Sequence, residues 1–204
     1  MFSRLLVCFA LVAWMGKAFA NNQSKRAGQL PGCPHIVTRS EWRARAPTST
    51  AGHLQEAAKY AFIHHGASPP CHTKTECIGI VKAYQNHHMD HIKLRWRDIG
   101  YSFLIGEDGN VYEGTGWDAI GAHTKNYNHV GLGFCMIGNF RAHVPNDAAL
   151  TAVKQMIACG VNNHKISDTY ILHGHHDVNK STECPGDKLY DLIQSWPHYS
   201  RHQD

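Results

Sequence analysis

Charge is scarce in this 204-residue chain, and long apolar runs are missing: 18% of residues are Asp, Glu, Lys or Arg, and the formal net charge is only +4. No basic block or stripe of the kind that follows a nucleic-acid backbone is present, so nucleic acid is not an expected partner. No apolar stretch approaches the roughly 18 residues that span a bilayer, so no membrane span is expected. Internal repeats and dividing linkers are absent as well, which leaves one domain with tails, long enough to bury a core. The glycines around Gly114 and Gly116 lack the strand–glycine–helix context of a phosphate-cradling loop. His87 and His91 stand four apart on an expected helix, but no carboxylate signature accompanies them and they read as a solvated face. What remains is an ordinary apolar fraction, 43%, and an unusual wealth of histidine, 17 residues.

The first twenty residues have a positive start at Arg4, an apolar centre from Leu5 to Met15, and the small-residue pattern Ala18-Phe19-Ala20. That is the layout of a cleaved secretory signal. Removing it lowers the net charge to +2 and leaves six cysteines, Cys33, Cys71, Cys77, Cys135, Cys159 and Cys184. In an extracellular chain such cysteines favour disulfides, although spacing alone does not give the connectivity. Cys71 and Cys77 flank a short polar loop that a disulfide would close; the rival reading is a Cys-His-Cys metal knuckle with His72. Cys135 lies inside an apolar run and reads as a buried free thiol. Residues 21–32 form a polar, Gly/Pro-punctuated leader, and 199–204 a polar tail.

Between these tails, strand-like runs alternate with helical patterns. Strands are expected at Tyr60 to His64, Gly100 to Gly106, Val111 to Gly114, Val130 to Ile137 and Tyr170 to Leu172. Asp108-Gly109 marks a tight hairpin turn. Ser40 is the expected cap of a short helical turn. A long helix is expected from about Thr75 to Leu94, with Cys77, Val81, Tyr84, His88 and Ile92 on one face. A second helix follows Asn146, with Leu150, Val153, Ile157 and Val161 inward, and a third runs from Asp187 to Trp196. The pattern is that of a mixed α/β domain.

The chemistry-bearing residues cluster at strand ends. His173-Gly174-His175-His176 follows one apolar run, and Cys184 comes soon after it, ahead of a Pro-Gly turn. His64-His65 ends another run. Two imidazoles and one thiolate form a shell that Zn²⁺ favours, with one position left open as in catalytic zinc sites. A disulfide between Cys184 and Cys135 would remove the thiolate, but the mid-strand place of Cys135 argues against it.

Several of these segments together resemble the peptidoglycan recognition proteins. They are Ile36 to Trp42 (IVTRSEW), His64-His65, Gly100 to Gly109 (GYSFLIGEDG), Val111 to Trp117 (VYEGTGW), Gly121 to His123 (GAH) and Thr182 to Gly186 (TECPG). The resemblance covers residues 33–198 and implies the phage-type zinc amidase fold, a central mixed sheet flanked by three helices. It also implies disulfides Cys33–Cys159 and Cys71–Cys77.

Some members hydrolyse the amide between N-acetylmuramic acid and L-alanine; others only bind the wall polymer, and in these a zinc-ligand cysteine is replaced. Here that cysteine, Cys184, is present. Carried over, the zinc ligands are His64, His175 and Cys184, with Tyr101 and Thr182 as accessory catalytic groups. One departure is an extra residue between His175 and Cys184: the Gly-His-x-Asp-Val pattern selects His175, whereas spacing back from Cys184 selects His176. His173 shares a strand face with His175 and is an expected neighbour. His65, Trp96, Gly116, Trp117 and His123 match positions lining the peptide-binding groove. Gly116-Trp117 resembles members that prefer meso-diaminopimelic acid stems, yet the strand ending at Ile137 offers no arginine for the extra carboxylate. The expected protein is a secreted, monomeric zinc amidase acting on bacterial peptidoglycan in innate immunity. The alternative is a non-catalytic wall-binding module.

Overall fold

A computed structural model describes residues 30–201. The expected signal segment, most of the leader, and residues 202–204 lie outside the described residues. The apolar runs around Phe62 and Phe134 pair in parallel as β2 (Ala58–His65) and β5 (Gly131–Met136), with Tyr60 opposite Gly131 and His64 opposite Cys135. On its other side β2 pairs in parallel with β6 (Ile166–Gly174), placing Ile63 opposite Gly174. β3 (Phe103–Ile105) and β4 (Val111–Glu113) form the expected antiparallel hairpin, and β1 (Ile36–Val37) closes the far edge. The sheet order is β1-β4-β3-β5-β2-β6, a mixed sheet as expected.

Strand alternation sends side chains to two cores. Ala61, Ile63, Phe103, Ile105, Leu132, Phe134 and Met136 face one layer, covered by α2 (Asp147–Asn162) and, further along the chain, a short helix at Asp187–Ile193. Leu104 and Cys135 face the other, covered by α1 (Lys74–Asp90) through Cys77 and Val81. Between β6 and the closing helix lies a four-residue turn of helix, α3 (His175–Val178), so Asp187–Ile193 is α4. Parallel strands require long crossovers, and α1 and α2 lie in those between β2 and β3 and between β5 and β6.

Capping residues set the helix ends. Thr73 and Glu76 form a reciprocal capping box at α1, and the Asn146 side chain accepts the Ala149 N–H at 3.0 Å to start α2. α1 ends at Asp90, four residues before the expected Leu94, because His91 is already extended. Ile92 therefore leaves the buried face to which periodicity assigned it and is 74% exposed. At the first helical turn the cap is Thr38 rather than Ser40: Thr38 Oγ1 accepts the Glu41 N–H, and the Glu41 carboxylate accepts the Thr38 N–H at 2.9 Å. The closing helix stops at Ile193, but Trp196 beyond it is still buried. The expected tail is anchored at its start, since the Tyr199 hydroxyl donates to Asp177 at 3.0 Å.

The described residues contain two disulfides, Cys33–Cys159 and Cys71–Cys77, with Cα–Cα distances of 5.0 and 5.1 Å. The second excludes the Cys-His-Cys knuckle, because both sulfurs are consumed. The first joins the N-terminal segment to α2 across 126 residues, and a loop of that size carries a large closure entropy in the unfolded chain. Replacing Cys33 and Cys159 with alanine is expected to cost about 2–5 kcal/mol in denaturant unfolding; an unchanged midpoint would contradict this assignment.

Candidate metal centre

The C-terminal ends of β2 and β6 lie side by side, and each delivers an imidazole. Phe62 and His64 point to the α1 side of the sheet, opposite to Ile63. β6 ends at Gly174, and His175 opens α3 with its ring 4.8 Å from that of His64. Buried Asp177 holds this corner. Its carboxylate accepts the Gly174 N–H at 2.8 Å, the Tyr190 hydroxyl at 2.7 Å and the Tyr199 hydroxyl. The following loop then brings Cys184 back: the His176 N–H donates to the Cys184 carbonyl at 2.9 Å, and the Cys184 N–H donates to Thr182 Oγ1 at 3.2 Å.

Ligand atoms of His64, His175 and Cys184 all lie within 4.8 Å of one another, the one such trio among the described residues. His176 is turned away, since its Nδ1 donates to the Thr182 carbonyl at 2.6 Å. The extra residue is taken up in the loop, where Ser181 Oγ bonds Asn179 Oδ1 at 2.7 Å. A tetrahedral zinc with ordinary bond lengths separates a nitrogen and a sulfur ligand by about 3.6 Å. His64 Nδ1 and Cys184 Sγ are 3.5 Å apart, so the donor set fits this ion.

Burial governs the charge state of the cluster. It drives the His64 pKa well below its usual value, with His175, His123 and His65 adding to the effect, and it lowers His175 as well. Burial also lowers His123 to about 3 and His65 to about 4, the latter helped by Arg141. The Cys184 thiol is pushed up to about 12 by burial, partly opposed by the His65 N–H, which donates to Sγ at 3.4 Å. Near pH 7 the imidazoles are thus neutral lone-pair donors, and the thiol gives up its proton when a cation binds.

A cavity of about 370 Å³ opens onto the trio. Of the expected residues, His65, Trp96, Tyr101, His123 and Thr182 line it. Tyr101 packs its ring 5.4 Å from His64 and is held protonated by burial. Trp96 lies tilted against His88 with ring centroids 4.6 Å apart, and a positive φ of 45° at Arg95 turns the chain towards it.

Two expected groove residues, Gly116 and Trp117, do not line this cavity. Trp117 is 6% exposed and sits 4.5 Å from Phe103 in the core on the α2 side. His173 is not in the cavity wall either; its ring lies against Tyr60 and Phe62 at 5.8 Å. Sequence reasoning missed Ala67, Ala122 and Glu183 in the wall, and Asn128 behind it. The Asn128 side chain accepts the N–H groups of His123 and Thr124 at 2.9 and 2.8 Å. Glu183, beside Cys184, and Ala122, beside His123, had a signal in their positions.

Gly133 on β5 is what lets His123 lie on the sheet, because a Cβ there would meet the His123 ring at 2.5 Å. Gly133→Ala is expected to displace that ring and destabilise the fold by about 1–3 kcal/mol. Denaturant unfolding measures the cost, and full retention of stability would refute the close approach.

The profile of the family described as N-acetylmuramoyl-L-alanine amidase matches residues 54–187. The chain is 44% identical over 164 residues to peptidoglycan-recognition protein SC2 of Drosophila simulans, covering 80% of this chain and 87% of that protein. It is 39% identical over 189 residues to human N-acetylmuramoyl-L-alanine amidase, covering 91% of this chain and 32% of that longer protein. Among solved structures, Drosophila PGRP-LB superposes with a TM-score of 0.79 at 40% identity, covering 83% of this chain and 98% of that one. Peptidoglycan recognition protein LE, solved in complex with tracheal cytotoxin, a monomeric diaminopimelic acid-type peptidoglycan, gives 0.79 at 39% identity, covering 81% and 96%.

Proposed function

Because the chain belongs to the peptidoglycan recognition proteins of the N-acetylmuramoyl-L-alanine amidase family, we propose that it is a secreted zinc-dependent amidase. In this reading it cleaves the bond between N-acetylmuramic acid and L-alanine in bacterial peptidoglycan and acts in innate immunity. The observation that carries the proposal is the trio of His64, His175 and Cys184, with its thiol intact, at the floor of an open cavity. The paired disulfides suit an extracellular protein. No helix among the described residues is long and apolar enough to cross a membrane.

His64, His175 and Cys184 would hold the ion. Zinc in such a donor set polarises a carbonyl and lowers the pKa of water to about 7. Hydrolysis adds water across the amide: the carbonyl carbon gains the oxygen, the C–N bond breaks, and the L-alanine nitrogen leaves with a proton. The protein's own groups act on the charge this develops. The Tyr101 hydroxyl, kept protonated by burial, is a hydrogen-bond donor in the cavity wall for the carbonyl oxygen as it becomes an oxyanion. The Thr182 hydroxyl accepts from the Cys184 N–H and keeps its own proton to donate, so it shapes the ligand loop and offers a second polar contact. His65, Trp96 and His123 wall the cavity and orient the glycan–peptide junction.

Three measurements on purified peptidoglycan test the reading. The protein as isolated is expected to contain one zinc per chain, and a chelator is expected to abolish release of muropeptides. Cys184→Ser is expected to lose both zinc and turnover while remaining folded. Tyr101→Phe is expected to lower turnover by about 10²–10³-fold, the usual effect of removing one oxyanion donor. Wild-type turnover by Cys184→Ser would end the zinc mechanism. Wall binding with no new L-alanine amino termini would select the non-catalytic alternative.

A further inference from the structure

We infer that Thr124 is a positioning residue for His64: its buried hydroxyl holds the ring in the tautomer that leaves Nδ1 facing Cys184. The inference rests on the zinc reading of the trio. Thr124 is 1% exposed and lines no wall of the cavity, so contact with substrate does not account for its hydroxyl. Thr124 Oγ1 lies 3.3 Å from His64 Nε2 and 3.0 Å from His123 Nδ1, and these two ring nitrogens are themselves 3.3 Å apart.

Counting protons around this triangle gives the direction of each bond. His64 Nδ1 faces the Cys184 sulfur at 3.5 Å and must present a lone pair to a cation, so the single proton of the neutral ring sits on Nε2. That N–H points at Oγ1, which accepts it, and the hydroxyl sends its own proton on to His123 Nδ1. Without the hydroxyl, the His64 Nε2–H is left with only the His123 Nδ1, 3.3 Å away, as its partner in the triangle. With it, once Nδ1 is given to a cation, the His64 Nε2–H has an oxygen acceptor and the hydroxyl proton is left for His123 Nδ1. The Thr124 main chain cannot drift from this place, because its N–H and that of His123 both donate to Asn128 Oδ1.

Such a contact acts on metal affinity, because a ligand imidazole is oriented by the hydrogen bond its other nitrogen makes. The test is a competition titration of metal-free wild type, Thr124→Val and Thr124→Ser with zinc against a chromophoric chelator, alongside thermal melts of the metal-free proteins. Thr124→Val is expected to bind zinc about 10- to 100-fold more weakly, while Thr124→Ser, which keeps the hydroxyl, stays near wild type. Wild-type affinity in Thr124→Val overturns the inference; so does equal weakening in both variants, which would assign the effect to the lost methyl. If Thr124→Val does not fold, ¹⁵N NMR of metal-free wild type decides instead: Nε2–H is expected on His64, and Nδ1–H overturns the inference. A wild-type chain that binds no zinc at all brings down the amidase reading together with this one. Zinc-binding wild type with an unaffected Thr124→Val brings down this one alone.

Discussion

Parallel pairing of β2 with β6 is the constraint on which the rest of the site depends. Parallel strands end at the same edge of a sheet, so two segments more than a hundred residues apart deliver His64 and His175 to one place. The register decides whether they meet, because a slip by one residue would turn His64 into the α2 core and bring Ile63 to the cavity. Loops outside the carboxyl ends of parallel strands are where α/β folds commonly hold ligands, and here the Cys184 loop is packed against that edge. The loop is tied down from two sides. Asp177 gathers the hydroxyls of Tyr190 and Tyr199, and the Phe140 carbonyl accepts from the Lys188 N–H at the start of α4.

The trio carries almost no charge of its own in the absence of a cation. Burial keeps the imidazoles neutral and the thiol protonated, which limits the cost of placing three polar groups together inside the protein. The same burial makes the cluster suited to a divalent ion, because no ammonium or guanidinium in the cavity wall competes for it. The remaining polar contacts are directed at geometry: Thr124 and His123 behind His64, and Thr182 beneath Cys184.

Much of the fold could be read in the chain because its signals were local. The alternation of apolar runs located β2 and β5, Asp108-Gly109 located the hairpin, and Asn146 located the start of α2. Errors arose where a local rule met a tertiary one. Periodicity carried α1 on through Ile92, but the chain must leave the helix at His91 so that the Trp96 N–H can bond the His88 carbonyl at 2.8 Å. Ser40 has the right chemistry for a cap, yet Thr38 stands at the position from which a hydroxyl reaches Glu41.

The residue types alone determined which donors were available: two histidines at strand ends, and one cysteine before a Pro-Gly turn. They left open whether His175 or His176 would serve, because with an extra loop residue the Gly-His-x-Asp-Val pattern selects His175 while spacing back from Cys184 selects His176. Tertiary structure brings His175 rather than His176 to the trio, since the Thr182 carbonyl captures His176 while Asp177 locks the turn that aims His175. It also decided which nitrogen of His64 faces the thiol, and that buried Thr124 stands behind that ring. The physical reason is that identity sets which bonds a side chain is able to make, whereas distance and direction, which choose among them, exist only once the strands are paired.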